Sequence, residues 1–318
     1  MSLRQKREEN KEENQINQTS RVLKADLCVQ GTGRAMVDCS SFRKMNPENI
    51  LPHIHEQDKI AKISEDELHL CLPTVLGYSF VTKMWGRFEI DKFSPIVWNK
   101  KAFDLLVLPQ ATKMLIKALV RGDSECRNVE LIKDVISGKG GGCIIILHGR
   151  PGTGKTLTAE AVAEQQEKPL MAVSVGELGK DAGQLEAALT TILELAKLWE
   201  AVLLLDEADV FLEARSLHEL QRNAMVGVFL RILEYHQRII FLTTNRVETL
   251  DEAFKSRISV AIKYDDLNED ARRQVWKNFL ALAGVNIVDR IADGTNVTTP
   301  IITEENVDNL ACKKLNGR

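Results

Sequence analysis

The chain has 318 residues, 44% of them apolar and 27% charged, with a net charge of -3 at pH 7. This is ordinary globular composition, long enough for about two domains of roughly 150 residues each. The slightly acidic balance lacks the basic footprint of a nucleic-acid binder. No apolar run approaches the roughly 20 residues that span a bilayer, and the N-terminus has no apolar signal-peptide core.

Residues 1–24, "MSLRQKREENKEENQINQTSRVLK", are too polar to offset the entropy of ordering and are expected to be disordered. Residues 25–96 are expected to form a small β-rich region. Its stretch "LHLCLPTVLGYSFVTKMWGRFEI" alternates loosely, punctuated by Gly77 and Gly86. His53 and His55 could share one side of a strand, but no third ligand lies near, so a solvated loop is the plainer reading. The six cysteines include no C-x-x-C pair. Reduced thiols in an intracellular compartment, the cytoplasm, are therefore expected.

From residue 97 to 264 the texture is that of an α/β core. "PQATKMLIKALVRG" carries Met114, Leu115, Ala118 and Leu119 at helical spacing, with Gly122 in the place of a C-cap. The flexible run "SGKGGG" precedes the apolar strand 143–147. Then follow a helix in "TLTAEAVAEQQ", a strand in "PLMAVSV" and a striped helix in "GQLEAALTTILELAKLW". The strand "AVLLLDEAD", the helix "LQRNAMVGVFLRILEYH" and the strands "RIIFLTTN" and "ISVAIKY" complete the series. Strands apolar throughout and alternating with helices predict a parallel sheet covered on both faces. From Asp265 the pattern is helical, with no further apolar strand expected.

Between the first of these strands and its helix lies Gly149-Arg150-Pro151-Gly152-Thr153-Gly154-Lys155-Thr156, a full G-x-x-x-x-G-K-[ST] match, followed by Leu157. Such a loop turns successive backbone N–H groups and a helix N-terminus toward phosphate oxygens. Lys155 reaches the β and γ phosphates, and the Thr156 hydroxyl is placed to ligate Mg²⁺. A chance match in a glycine-rich turn is the rival reading, which the flanking strand and helix disfavour.

The strand Val202–Leu205 ends in Asp206 and Glu207. Ligands of parallel sheets sit at the carboxyl ends of the strands. Asp206 is therefore a candidate to hold Mg²⁺ through water, and Glu207 to orient or deprotonate the attacking water. A strand simply running out into solvent is the bland alternative. Asp206-Glu207-Ala208-Asp209 also spells the signature of a DEAD-type helicase. That reading needs a second ATPase lobe and a basic strand track, which this length and charge disfavour.

The stretches "LLLDEADVFLE", "FLTTNR" and "DEAFKSRI" resemble the AAA+ ATPases, in the classical AAA branch, and most nearly fungal members with an uncharacterised N-terminal region. The resemblance runs from about residue 109 to the C-terminus. It implies a P-loop NTPase three-layer αβα core and a helical lid over 265–318. That lid is expected to be partial, with Arg318 opening the helix that carries the sensor 2 position. ATP and Mg²⁺ are the implied cofactors. By the same resemblance Asn245 is the sensor 1 residue, on the strand between those of the phosphate loop and the acids, and Arg257 is an arginine finger acting on a neighbouring subunit. A turn asparagine and a surface salt bridge are the plainer alternatives. The implied assembly is a homo-oligomeric ring, a hexamer in form, that hydrolyses ATP to remodel an unknown protein substrate. The chain departs from the pattern twice. Lys180, Asp181 and Ala182 stand where relatives carry a pore aromatic, and Ser259, Val260 and Ala261 where a second arginine often follows. An ATP-binding adaptor or switch with little turnover, and a small-molecule kinase, are the competing functions.

Overall fold

The computed structural model describes residues 33–47, 71–125, 142–179, 181–212, 220–234, 236, 238–245, 254, 257–288 and 300–313. The expectations for residues 1–24, His53 and His55, the glycines at 137–141, Lys180 and Arg318 lie outside these residues. The chain divides between Val97 and Trp98 into two compact units.

In the first unit, strand β1 (Ala35–Val37) pairs antiparallel with β2 (Thr74–Ser79), and β2 with β3 (Met84–Glu89). Helix α1 (Cys39–Met45) follows β1, its N-terminus capped by Asp38, whose carboxylate accepts the Ser41 N–H. Phe42 meets Trp85 edge-on at 5.9 Å, and Trp85 meets Tyr78 at 5.3 Å. Of these edge-to-face rings Phe42 is buried, while Trp85 and Tyr78 are half-buried.

The second unit carries a five-stranded parallel sheet in the order β5-β6-β7-β4-β8. The strands are β4 (Cys143–Gly149), β5 (Leu170–Ser174), β6 (Val202–Asp206), β7 (Ile239–Thr244) and β8 (Val260–Tyr264). Ile145, Leu147, Val202, Leu204, Phe241 and Ile262 face one core cluster, shared with helix α2 (Gln110–Glu125) and helix α3 (Lys155–Gln166). The alternate positions Ile144, Ile146, Leu203, Leu205, Ile240 and Leu242 are buried as well. With them are buried Leu185 and Leu189 of α4 (Ala182–Leu198), and Val226 and Phe229 of α6 (Leu220–Glu234). Burial on both faces explains why these strands read as continuous apolar runs. The short helix α5 (Asp209–Leu212) follows β6.

Three expectations are corrected. Helix α2 runs through Gly122 to Glu125: one glycine costs only about 1 kcal/mol, too little to stop a helix already anchored. Its buried positions are Ile116 and Val120, while Met114 and Leu115 are exposed. The region after Asp265 is not purely helical. Helix α7 (Glu269–Leu282) and helix α8 (Glu304–Cys312) accompany a two-stranded parallel ribbon, β9 (Asn286–Val288) with β10 (Ile301–Thr303). Strands of three residues are too short to show an alternation. Among the described residues no helix is long and apolar enough to cross a membrane, and Cys39, Cys71, Cys143 and Cys312 form no disulfide.

His236, just before β7, is 6% exposed. Burial, then the charges of Arg238 and Lys197, push its imidazole down to about 4. The folded chain thus resists a proton that the unfolded chain takes up near 6.5. This contribution to stability is complete above pH 6.5, falls as the pH drops from 6.5 to about 4, and is flat below. The expected loss is on the order of 3 kcal/mol. Urea unfolding of the wild type should show that slope, and His236→Gln should flatten it; parallel pH profiles would refute the assignment.

Candidate functional site: a phosphate loop at the ends of three parallel strands

The order of the strands builds the site. Strand β7 lies between β4 and β6, with His148 opposite Thr244 and Leu205 opposite Leu242. The ends of all three strands therefore open onto one edge: Gly149 closes β4, Asp206 closes β6, and Asn245 follows β7.

Gly149 has φ +149°, and a Cβ there would stand 2.3 Å from the Tyr264 carbonyl oxygen on β8. Only glycine permits that approach. Gly154, at φ +95°, is the N-cap of α3 and supplies no side-chain cap. The first-turn N–H groups are thus left for a ligand. Between them Thr153 Oγ1 donates to the Arg150 carbonyl (2.8 Å), and Arg150 itself turns outward to pair with Asp266 (2.8 Å).

Lys155 Nζ donates to three oxygens: Gly149 O (2.8 Å), Arg150 O (2.8 Å) and Asn245 Oδ1 (3.0 Å). Its side chain is buried, and burial lowers the ammonium from its ordinary range, while Asp206 and Asp209 pull it back up. The Thr156 hydroxyl faces both carboxylate oxygens of Asp206, at 3.4 and 3.5 Å. A hydroxyl beside a carboxylate is the hard oxygen donor set that suits Mg²⁺, which keeps most of its own waters. The structure thus brings together Lys155, Thr156, Asp206 and Asn245.

Glu207 is held in the left-handed region, at φ +58°. Its N–H donates to Thr243 Oγ1 (3.1 Å), and the next N–H, of Ala208, donates to Thr243 O (2.9 Å). Thr243 Oγ1 also donates to Asp206 Oδ1. This backbone turn directs the Glu207 side chain outward, where it is exposed.

Arg257 is held against the end of α6, its Nη2 donating to Glu234 Oε2 (3.4 Å). Where a second arginine could follow, Ser259 exchanges both backbone and hydroxyl hydrogen bonds with Ile144 (2.9 and 3.1 Å) and so starts β8 beside β4. Asp181, in the segment where the resemblance implied a pore aromatic, caps α4 by accepting the Gln184 N–H (2.8 Å).

Sequence reasoning gave no role to two parts of the site. One is the threonine pair Thr243 and Thr244 with Asp209. The other is a cavity of about 250 Å³ beside Gly152–Gly154, lined chiefly by apolar groups including Leu106, Val107, Leu157, Leu267 and Phe279. Its lining comes from three distant stretches of the chain. The Tyr264 hydroxyl meets Thr158 Oγ1 in its floor (2.7 Å), and burial pushes that phenol up to about 12. Asn278 of α7 donates to the Leu105 carbonyl (2.8 Å), tying the C-terminal helices to the cavity wall.

Residues 145–266 match the description "ATPase family associated with various cellular activities (AAA)". The chain carries an AAA ATPase domain. Fidgetin-like protein 1 of Caenorhabditis briggsae is 30% identical to it over 166 residues, 47% of this chain and 28% of that protein. ATPase family AAA domain-containing protein 3B of Homo sapiens is 30% identical over 137 residues, 41% of this chain and 21% of that protein. The chain thus spans about a quarter of the length of these curated relatives. A crystal structure of the FIGL-1 AAA domain in complex with ADP superposes with a TM-score of 0.47 at 23% identity, covering 69% of this chain and 67% of that one.

The left-handed turn of the AAA domain gives a stability prediction. A non-glycine residue there is strained by roughly 1–2 kcal/mol. Glu207→Gly should therefore melt above Glu207→Ala, although glycine usually destabilises. The reverse order in thermal melts would show that residue 207 is not held at positive φ.

Proposed function

We propose that the AAA domain hydrolyses ATP with Mg²⁺, and that the protein works as a homo-oligomeric ring that remodels a protein partner. The observation that carries the reading is the Lys155 ammonium, held at the rim of three parallel strands by the loop carbonyls of residues 149 and 150 and by Asn245. A cation placed there meets the β and γ phosphates as the N–H groups of 152–157 surround them. The neighbouring apolar cavity suits a purine base, with Leu157 at its mouth.

Mg²⁺, bound by Thr156 and through water by Asp206, would offset charge on the phosphate oxygens. Glu207 accepts a proton from the attacking water, and Asn245 orients that water. Arg257 stabilises transition-state charge in the site of a neighbour. Asp181 and Ala182 offer no aromatic grip, which supports remodelling without threading. The same feature favours, as second reading, a nucleotide-dependent switch with little turnover.

Lys155→Ala should abolish nucleotide-dependent thermal stabilisation. Glu207→Gln keeps its polarity but cannot take up the proton, so it should bind ATP while turnover falls by about 10²-fold or more. Normal ATP binding by the lysine variant overturns the loop assignment. A wild type as slow as Glu207→Gln establishes the switch.

The shared site is tested by mixing. Arg257→Ala should bind ATP and lose most turnover, an arginine finger contributing about 10³–10⁵ in rate. Adding Lys155→Ala should restore part of it, since some interfaces then pair an intact loop with an intact arginine. Turnover per subunit that is independent of concentration, with no rescue on mixing, would mean that each chain works alone.

A further inference from the structure

We infer that Asp209, the last acid of the Asp206–Asp209 run, is the positioning residue that holds Asn245 against Lys155. The inference rests on the ATPase reading above and assigns a role within that site.

One oxygen of Asp209, Oδ1, accepts two hydrogen bonds from consecutive residues at the end of β7: one from the Thr244 hydroxyl and one from the Asn245 N–H (2.9 Å). Thr244 is 1% exposed, so water cannot replace its partner. Two donors converging on one oxygen fix the point at which the backbone leaves β7. The Asn245 side chain departs from that point, and its Oδ1 lies 3.0 Å from Lys155 Nζ. The neighbouring threonine does the matching work on the other acids, since Thr243 Oγ1 donates to Asp206 and accepts from the Glu207 N–H. The ends of β6 and β7 are thus stitched together at two successive residues. The first stitch places Asp206 and Glu207, and the second places Asn245.

Asp209 does not contact the loop in these bonds. Its influence passes through the Asn245 backbone and, at longer range, through its charge, which together with that of Asp206 supports the ammonium of the buried Lys155. A misplaced catalytic group can cost about 10²-fold in rate while leaving binding intact. Loss of Asp209 should therefore appear in kcat and not in nucleotide affinity.

The test compares Asp209→Ala, Asn245→Ala, the double variant and Asp209→Asn. Turnover of Mg-ATP is normalised to sites that bind a fluorescent ATP analogue. Asp209→Ala should reproduce most of the kcat loss of Asn245→Ala, on the order of 10²-fold, with the dissociation constant for the analogue changed by less than about threefold. The double variant should be no slower than the slower single variant. Asp209→Asn keeps an acceptor at Oδ1 and should recover a large part of kcat. Losses that multiply in the double variant, or an Asp209→Ala enzyme with wild-type kcat per binding site, overturn the inference. If Asn245→Ala is slow and Asp209→Ala is not, only this inference falls. If neither slows turnover, the role given to Asn245 falls with it.

Discussion

The site depends on where a single ammonium group can be satisfied away from water. Lys155 has three N–H donors, and two loop carbonyls and one amide oxygen take them. The carbonyls belong to its own loop, but the amide belongs to residue 245, ninety positions away. Such a contact exists only because β7 inserts between β4 and β6, although β7 follows both in sequence. Parallel pairing then brings the three strand ends to one level. Burial opposes the charged form of the lysine, and the carboxylates beyond Asn245 offset part of that cost. Phosphate oxygens would take over the same donors, which makes the bonds within the loop stand-ins for a ligand.

How much of this could be read from the sequence follows the distance over which each part is built. The phosphate loop was legible because its strand, glycines, lysine, threonine and helix are contiguous. Asp206 and Glu207 were legible because an apolar strand ending in two acids is anomalous on desolvation grounds. Asn245 and Arg257 lack such local logic, and the resemblance to AAA+ ATPases singled them out. The apolar cavity left no signal, as its walls come from residues near 105, 155 and 270, none unusual in its own neighbourhood. The Thr243–Thr244 pair lies within a stretch that carries the resemblance, but its role emerges only when Asp206 and Asp209 are seen across from it.

The misreadings have local causes too. In α2 the apolar residues at 114, 115, 118 and 119 suggested one face, but of these only Leu119 packs against the core, beside the buried Ile116 and Val120, and helical spacing fits both. Gly122 looked like a stop signal because glycine is common there, yet a helix terminus also needs a chain that turns away. Ser259 and Asp181 are instructive in another way. Each is a departure from the family pattern, and each has an architectural use, opening β8 and capping α4.

The crowding at Gly149 changes what the first glycine of the loop means. Its missing Cβ is occupied not by phosphate but by the Tyr264 carbonyl, the last residue of β8. Two residues beyond, Asp266 grips Arg150, and Leu267 enters the cavity wall before α7 begins. A side chain at 149 would act as a wedge, driving the edge strand outward and carrying the cavity wall and the C-terminal helices with it. The residue that opens the phosphate motif is thus, mechanically, the pin between the loop and the apolar cavity: it keeps the cavity wall in step with the loop.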